Sequence, residues 1–200
     1  MKLYTYFRSS AAYRVRIALN LKGVTYDSVP VDLVAGQQSE AEHLVRNPLG
    51  LVPVLETSGQ RLSQSLAIIE YLEEMHPHPP LLPADAPGRA RVRGMALAVA
   101  CDTHPLNNMS VLRFLTDELG VDQAGRDRWY RHWVERCFAA LEASVDAAPY
   151  CVGGTVSLAD VCLVPQVFNA RRFSVPLTRY PKLVAIDVAM AAIDAVAAAH

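Results

Sequence analysis

A proline-dense segment, PHPPLLPADAPG at residues 77–88, divides the chain into two differently patterned parts. Proline lacks a backbone N–H and fixes φ, so this segment can continue neither a helix nor a central strand. Before it, short apolar runs alternate with amphipathic stretches; after it, strand signals fade and helical periodicity dominates. We therefore predict two domains, residues 1–80 and residues 88–200, joined by a linker.

The first domain is predicted to alternate strands and helices in the order βαβαββα. Its initial βαβ unit implies a parallel strand pair with a right-handed crossover, and its ββ pair adds an antiparallel hairpin that turns at Ser58-Gly59. That order predicts an α/β, thioredoxin-like sheet. The predicted strands are residues 2–6, 25–31, 52–55 and 61–63, and the predicted helices are residues 11–22, 39–47 and 65–76.

The second domain is predicted to be an all-α helical bundle. Pro105 interrupts its first helical stretch, and the SLAD run that begins at Ser157 is typical of a capping box at a helix start. A similar spacing, Ser39 to Glu42, predicts a capping box for the short helix of the first domain. The predicted helices of the bundle cover residues 88–119, 126–147, 158–170 and 181–199.

Composition argues against several classes of function. The formal net charge is −1, so the chain lacks the basic field that non-specific nucleic-acid binding requires. No uncharged apolar stretch is long enough to span a bilayer, and the first residues show no apolar signal-peptide region. The four cysteines form no C-x-x-C pair and no zinc-ligand spacing. We therefore expect a cytoplasmic protein with reduced thiols, without a metal site, a nucleic-acid partner or membrane contact.

Ser9 and Ser10 lie where the first predicted strand meets the first predicted helix. Free amides and the positive end of the helix dipole converge at such a point. Neither residue is a cysteine, so disulfide exchange at this position is excluded. A serine hydroxyl here could donate to an external thiolate and lower the pKa of that thiol, or it could serve only as the N-cap of the helix.

Val52-Pro53 and Gln64-Ser65 are two further candidate points. A cis bond before Pro53 would direct the N–H and C=O of Val52 outward, where an extended peptide ligand could pair with them. A trans bond would make Pro53 an ordinary strand start. Ser65, at a predicted helix N-terminus, suits a carboxylate ligand or acts as a plain cap.

These three features occur in one order, and the segments that carry them resemble a known family. SSAAYRVRIAL, NPLGLVPVL and QSLAIIEYLEE are similar to segments of glutathione transferases. The segments HPLNNMSVL, YCVGGTVSLADVCLVPQV, NARRFSV and LTRYPKL extend the resemblance over nearly the whole chain and point to the zeta class, which includes maleylacetoacetate isomerase. The resemblance implies the glutathione transferase fold, a homodimer, and glutathione as the cofactor.

The resemblance also assigns roles to individual residues. Ser9 would stabilise the glutathione thiolate, with Ser10 and the following amides assisting. Members of the class often carry a cysteine where this chain has Ala11. Because glutathione itself supplies the nucleophilic sulfur, that cysteine is interpreted as dispensable. Arg172, by its motif, and Arg8, by its position directly before Ser9, would bind the carboxylates of the substrate; the alternative is that both are structural ion-pair partners. The residues that would hold glutathione or line its site are Ser9, Ser10, Ala11, Gln38, Val52, Pro53, Gln64, Ser65, His104, Asn108 and Ser110.

Several neighbouring side chains are assigned plainer roles. Tyr6 is interpreted as core or as a wall of the site rather than as the activating hydroxyl. Arg14 is assigned to a structural ion pair, Arg16 to a solvated helix face, and Arg171 to the surface. His104, Asn108 and Ser110 are placed on a helix of the second domain.

The implied activity is the glutathione-dependent cis–trans isomerisation of a maleyl-keto acid by reversible addition of the thiolate to its double bond. Conversion of maleylacetoacetate to fumarylacetoacetate is the leading assignment. The alternatives are a maleylpyruvate isomerase, a conjugating or dehalogenating glutathione transferase acting on small α-halo acids, and a non-catalytic module that uses the fold for protein contacts.

Overall fold

The computed structural model describes the whole chain and divides it into two units. The first unit comprises Met1–Pro80 together with Ile193–His200, and the second comprises Leu81–Ala192. The segment that links the helices of the first unit to those of the second carries the prolines that the sequence marks as a boundary.

Four strands form the sheet of the first unit: β1 (Lys2–Thr5), β2 (Asp27–Pro30), β3 (Val54–Thr57) and β4 (Gln60–Ser63). Their order across the sheet is β2-β1-β3-β4. β1 pairs with β2 in parallel, whereas β3 pairs with β1 and with β4 in antiparallel ladders. This mixed sheet is the predicted thioredoxin-like arrangement.

The chain has nine α-helices, the first three of which alternate with the strands. In chain order they are α1 (Ser10–Leu21), α2 (Ala41–Arg46), α3 (Ser65–Met75), α4 (Ala86–Ala100), α5 (Met109–Asp117), α6 (Gln123–Ser144), α7 (Leu158–Arg172), α8 (Pro181–Ala191) and α9 (Asp194–Ala197). Short 3₁₀ helices cover Gln37–Ser39, Pro105–Asn107 and Leu177–Arg179. None of the helices combines the length and the apolar composition that a membrane span requires.

The core of the first unit lies between the sheet and the helices α1 and α3. Side chains from each of these elements are completely buried there: Leu3, Ile17, Leu55 and Ile68. Burial of such side chains from water is the main stabilising contribution to a unit of this size. α1 ends at Leu21, and Gly23, the residue after its C-cap, has a φ of +64°, the left-handed conformation that favours glycine after a helix.

The predicted helix at residues 181–199 is interrupted, because α8 ends at Ala191 and α9 begins at Asp194. Beyond this break the chain packs on α1, where the Asn20 side-chain amide donates to the Ala195 carbonyl at 3.0 Å. Residues 193–200 therefore belong with the first unit and not, as the sequence-based boundaries have it, with the helical domain.

The capping box predicted at Ser39 is wrong, whereas the one at Ser157 is confirmed. Ser39 already lies inside a 3₁₀ helix, so its backbone lacks the extended conformation of an N-cap, and α2 starts after Glu40 without a side-chain cap. The carboxylate of Asp160, fully buried at 0% exposure, accepts from both the amide and the hydroxyl of Ser157 at the start of α7. This reciprocal capping fixes the start of α7, a helix whose residues are mostly buried.

Candidate active site

The strand register brings three of the predicted site segments to one end of the sheet. Tyr4 in β1 pairs with Val54 in β3, and Val54 pairs with Ser63 in β4. Both ladders are antiparallel, so neighbouring strands run in opposite directions. The same end of the sheet therefore holds the residues after β1, those before β3 and those after β4. The turn into α1, the Val52-Pro53 bond and the start of α3 are therefore neighbours.

Ser9 is the N-cap of α1. Its backbone is extended, its Oγ accepts the Ala12 amide hydrogen at 3.2 Å, and its own amide donates to the Tyr6 carbonyl at 2.9 Å. A hydroxyl that accepts in this way still has its own hydrogen to donate. The Ser9 hydroxyl can therefore cap the helix and stabilise an anion at the same time, with the positive end of the helix dipole beside it.

The residues beside Ser9 differ in their access to such an anion. Ser10, the first residue of α1, is buried, whereas Ala11 is partly exposed and its amide makes no backbone hydrogen bond. The geometry thus selects Ser9 over Ser10 as the N-cap. Arg8 is exposed, with its guanidinium over the Phe7 ring at 5.0 Å, and has no carboxylate partner.

The Val52-Pro53 peptide bond is cis. The residue before it is held in place, because the Leu51 carbonyl accepts from the Asn47 side-chain amide at 2.8 Å and contacts His43 Nε2 at 3.1 Å. Val52 lies outside the strand ladder, and neither its N–H nor its C=O makes a backbone hydrogen bond within the chain. An extended ligand could pair with both groups, as an added strand would.

Gln64 immediately precedes α3 in a strained conformation, with φ of +71° and ψ of +116°, and its side chain is exposed. Such a backbone is uncommon for a residue with a Cβ and is concentrated at functional sites. Ser65 is the first residue of α3 and not its cap, so the plain-cap interpretation is wrong. Its buried Oγ accepts from Arg14 Nη1 at 3.2 Å, which leaves the Ser65 hydroxyl hydrogen and the first amides of α3 for an anion.

Gln38 lies in the 3₁₀ helix before α2, close to the segment that leads into β3. A Cβ on Gly50, whose φ is +62°, would come within 3.1 Å of the Gln38 carbonyl oxygen, so this approach requires glycine. The side-chain Oε1 of Gln38 is buried and has no hydrogen-bond partner. A buried acceptor without a partner is uncommon and fits a group that a ligand completes.

Tyr6 packs against a small apolar cluster of the first unit, formed by Tyr4, Val31, Val52 and Val54. The Tyr4 hydroxyl is already engaged as a donor to Glu56 Oε2 at 3.1 Å. This placement agrees with the interpretation of Tyr6 as core or site wall.

The prediction that Arg16 lies on a solvated helix face is wrong, because this residue is buried. Burial lowers the pKa of its guanidinium below the ordinary arginine value. Helical spacing contained the signal, because Arg16 follows Ala12 by four residues and precedes Leu19 by three, and both of these are fully buried.

In the second unit, His104, Asn108 and Ser110 lie around the start of α5. His104 precedes the 3₁₀ helix Pro105–Asn107 and is not on the predicted helix. Asn108 is the N-cap of α5, and its Oδ1 accepts from the amide of Ser110 at 3.1 Å and lies 3.3 Å from the Ser110 hydroxyl. The structure thus gives Asn108 a capping role of its own.

Arg172 is the last residue of α7 and is exposed. Its guanidinium lies over the rings of Phe168 and Phe173 and donates to Asn169 Oδ1 at 3.4 Å, but it pairs with no carboxylate. Arg171 instead forms an ion pair with Asp187 at 2.6 Å, so its surface position is also a structural one. Of the two arginines, Arg172 has the guanidinium that is open to an external anion.

No group of three or more His, Cys, Asp or Glu side chains is arranged to hold a metal ion. The arrangement in the first unit instead offers a hydroxyl and helix amides for an anion, unpaired backbone groups beside Pro53, and a second helix N-terminus for a carboxylate. These groups match a peptide-like ligand with an anionic sulfur and carboxylates.

Comparison with known proteins agrees with this arrangement. The family model for the N-terminal domain of glutathione S-transferases matches residues 1–74. Maleylacetoacetate isomerase of Rhizobium meliloti (strain 1021) is 51% identical to this chain, over 99% of the chain and 94% of that protein.

Solved structures are similar over the full length. The holo structure of a maleylpyruvate isomerase, a bacterial zeta-class glutathione S-transferase, has a TM-score of 0.97 and 47% identity, covering 100% of this chain and 96% of that one. The maleylacetoacetate isomerase of Methylobacterium extorquens AM1, solved with malonate and glutathione, also has a TM-score of 0.97, with 41% identity over 100% and 96% of the two chains.

Proposed function

This chain belongs to the zeta class of the glutathione transferase family, and we propose that it is a glutathione-dependent isomerase that converts maleylacetoacetate to fumarylacetoacetate. The observation that carries the proposal is the start of α1, where the Ser9 hydroxyl caps the helix and keeps its hydrogen to donate. Bound glutathione supplies a thiolate that adds reversibly to the cis double bond of the substrate and so permits rotation.

The residues of the first unit fit glutathione in three places. Ser9 and the first amides of α1 hold the sulfur as an anion, and this lowers the pKa of the thiol. The unpaired N–H and C=O of Val52 bind the peptide backbone of glutathione. Gln64, Ser65 and the first amides of α3 receive its α-carboxylate, with Gln38 completing the site.

Arg8 and Arg172 are proposed to bind carboxylates of the substrate. Each guanidinium is exposed and has no carboxylate partner in its own unit. A guanidinium can hold a carboxylate through two parallel hydrogen bonds, which suits a dicarboxylic keto acid. The resemblance to the family is the ground on which His104, Asn108 and Ser110 are also proposed as residues of the site.

Maleylpyruvate is the second candidate substrate, because the maleylpyruvate isomerase structure is 47% identical over the whole chain. Both substrates share the cis double bond beside a keto group, so the same sulfur chemistry serves both. The substrates differ in the length of the acid beyond that group.

We also propose a cytoplasmic homodimer. The four free thiols suit a reducing compartment. Large apolar side chains lie exposed near α2, among them Val45 at 70% and Leu49 at 65% exposure, as an interface between subunits would require.

The test is an absorbance assay of both maleyl-keto acids with and without glutathione, together with thermal unfolding. We expect isomerisation only with glutathione, faster for maleylacetoacetate, and a melting temperature that rises with glutathione concentration. A chain that shows neither a thermal shift with millimolar glutathione nor isomerisation of either acid would overturn the proposal.

A further inference from the structure

Arg16 is buried at 8% exposure and donates from all parts of its guanidinium. Its Nη1 donates to Thr5 Oγ1 at 2.9 Å and contacts the Tyr6 carbonyl at 3.4 Å, and its Nη2 contacts the Phe7 carbonyl at 3.4 Å. On the other side, its Nε donates to the Ala199 carbonyl at 2.7 Å. All of these acceptors are neutral oxygens, so the guanidinium organises backbone and does not form an ion pair.

One of these acceptors connects Arg16 to Ser9. The Tyr6 carbonyl accepts both from Arg16 Nη1 and from the Ser9 amide at 2.9 Å. Arg16 thus holds the segment from Thr5 to Phe7, which ends two residues before Ser9, the residue proposed to hold the glutathione sulfur. A shift of this segment would move the Ser9 hydroxyl directly, and small displacements of a catalytic group reduce rates strongly.

On its other side, Arg16 is anchored at the end of the segment 193–200. The Ala199 carbonyl makes its shortest hydrogen bond, and the His200 ring packs edge-on against the Tyr13 ring at 5.8 Å, while the Arg16 guanidinium lies over the same Tyr13 ring at 5.2 Å. Asn20 fastens this segment independently, through the Ala195 carbonyl, without touching the chain before Ser9.

We propose that Arg16 is a positioning residue of the thiol-activating site: its guanidinium, anchored by the Ala199 carbonyl, holds the Thr5–Phe7 backbone and so places the Ser9 hydroxyl. This inference rests on the proposed function, since its effect is on bound glutathione. It predicts that the planar, forked guanidinium is required and that positive charge alone is insufficient, because a lysine ammonium cannot bridge acceptors on opposite sides.

The test compares Arg16→Lys with Asn20→Ala. Asn20→Ala weakens the attachment of segment 193–200 but leaves every Arg16 contact in place, so it is the matched control. Each variant is measured for the pKa of the bound glutathione thiol, from the ultraviolet absorbance of the thiolate, and for kcat and KM. Arg16→Lys should raise the thiol pKa by about one unit, lowering the thiolate fraction and kcat roughly tenfold with little change in KM for glutathione.

Thr5→Val provides a milder probe should Arg16→Lys not fold, because it removes one acceptor of Arg16 and preserves volume. It should shift the thiol pKa in the same direction by a smaller amount, whereas Asn20→Ala should not shift it. If wild type activates glutathione but neither Arg16→Lys nor Thr5→Val differs from Asn20→Ala in thiol pKa, Arg16 is only structural and the inference is wrong. If wild type itself does not bind glutathione, the proposed function has failed instead.

Discussion

The Ser9 hydroxyl oxygen accepts the Ala12 amide hydrogen at 3.2 Å, so one side chain both begins α1 and offers a hydrogen to an external anion. The two roles use different parts of the hydroxyl, a lone pair and the hydrogen. They can therefore be separated by substitution.

Ser9→Ala should lower turnover with glutathione by ~10²-fold, as loss of a key oxyanion-type donor does. It should also lower the free energy of unfolding by about 1 kcal/mol, because the N-cap is lost. Ser9→Asp retains a capping acceptor but, when ionised, has no hydrogen to donate, so it should recover the stability without the turnover. Steady-state kinetics and denaturant unfolding measure the two effects, and a Tyr6→Phe variant that is more impaired than Ser9→Ala would show that the activating hydroxyl is misassigned.

Gln64→Gly should make the protein more stable and bind glutathione less well. Glycine adopts φ of +71° without strain, so the free energy of unfolding should rise by about 1 kcal/mol. Loss of the side chain should raise the KM for glutathione roughly tenfold, as loss of a hydrogen bond to a charged group does.

Ser58→Gly is the control for Gln64→Gly, because Ser58 also has a positive φ, +49°, but lies in the β3-β4 hairpin turn. It should raise stability and leave the KM unchanged. Thermal melts and glutathione titrations of both variants distinguish strain that serves binding from strain that does not. A Gln64→Gly variant with wild-type KM would remove Gln64 from the glutathione site.

Arg172→Lys should raise the KM for the dicarboxylic substrate roughly tenfold and leave the KM for glutathione nearly unchanged. Arg171→Lys is the matched control, since it perturbs only the ion pair with the buried Asp187 and should lower the melting temperature without changing either KM. Equal losses for the dicarboxylate and for a neutral halonitrobenzene would mean that Arg172 supports the fold and does not bind substrate.

Alkylation with iodoacetamide should modify Cys101 alone in the native protein and leave activity intact. Cys101 is exposed, whereas Cys137, Cys151 and Cys162 are buried. Burial also raises the pKa of the Cys137 and Cys151 thiols, so they remain protonated and unreactive. Mass spectrometry with and without denaturant counts the modified thiols, and inactivation on modification of Cys101 would contradict a sulfur supplied by glutathione.

Features whose partners are close in sequence were predictable, and features whose partners are distant were not. The Ser157–Asp160 box and the Ser58-Gly59 turn close within a few residues, so the pattern alone contains them. The helical spacing of Arg16 indicated its burial, but its closest acceptor, the Ala199 carbonyl at the far end of the chain, could not be predicted.

The candidate site shows the same division. The order of Ser9, Val52-Pro53 and Gln64-Ser65 indicated three candidate contact points, and only the resemblance to glutathione transferases assigned them to glutathione. The sequence could not decide which serine caps α1, because both are good N-caps and only the backbone conformation distinguishes them. It also could not reveal that Arg14, from a different helix, occupies a lone pair of Ser65.

The hydrogen bond between Arg16 and Ala199 has a consequence for synthesis on the ribosome. Nearly all of the first unit is translated before the second begins, yet α9 and Ala199 are made only after the entire helical unit. A nascent chain that has formed the sheet therefore holds a guanidinium whose main acceptor has not been made. The unit that is translated first is therefore the last to be completed, even though most of its contacts can form during elongation.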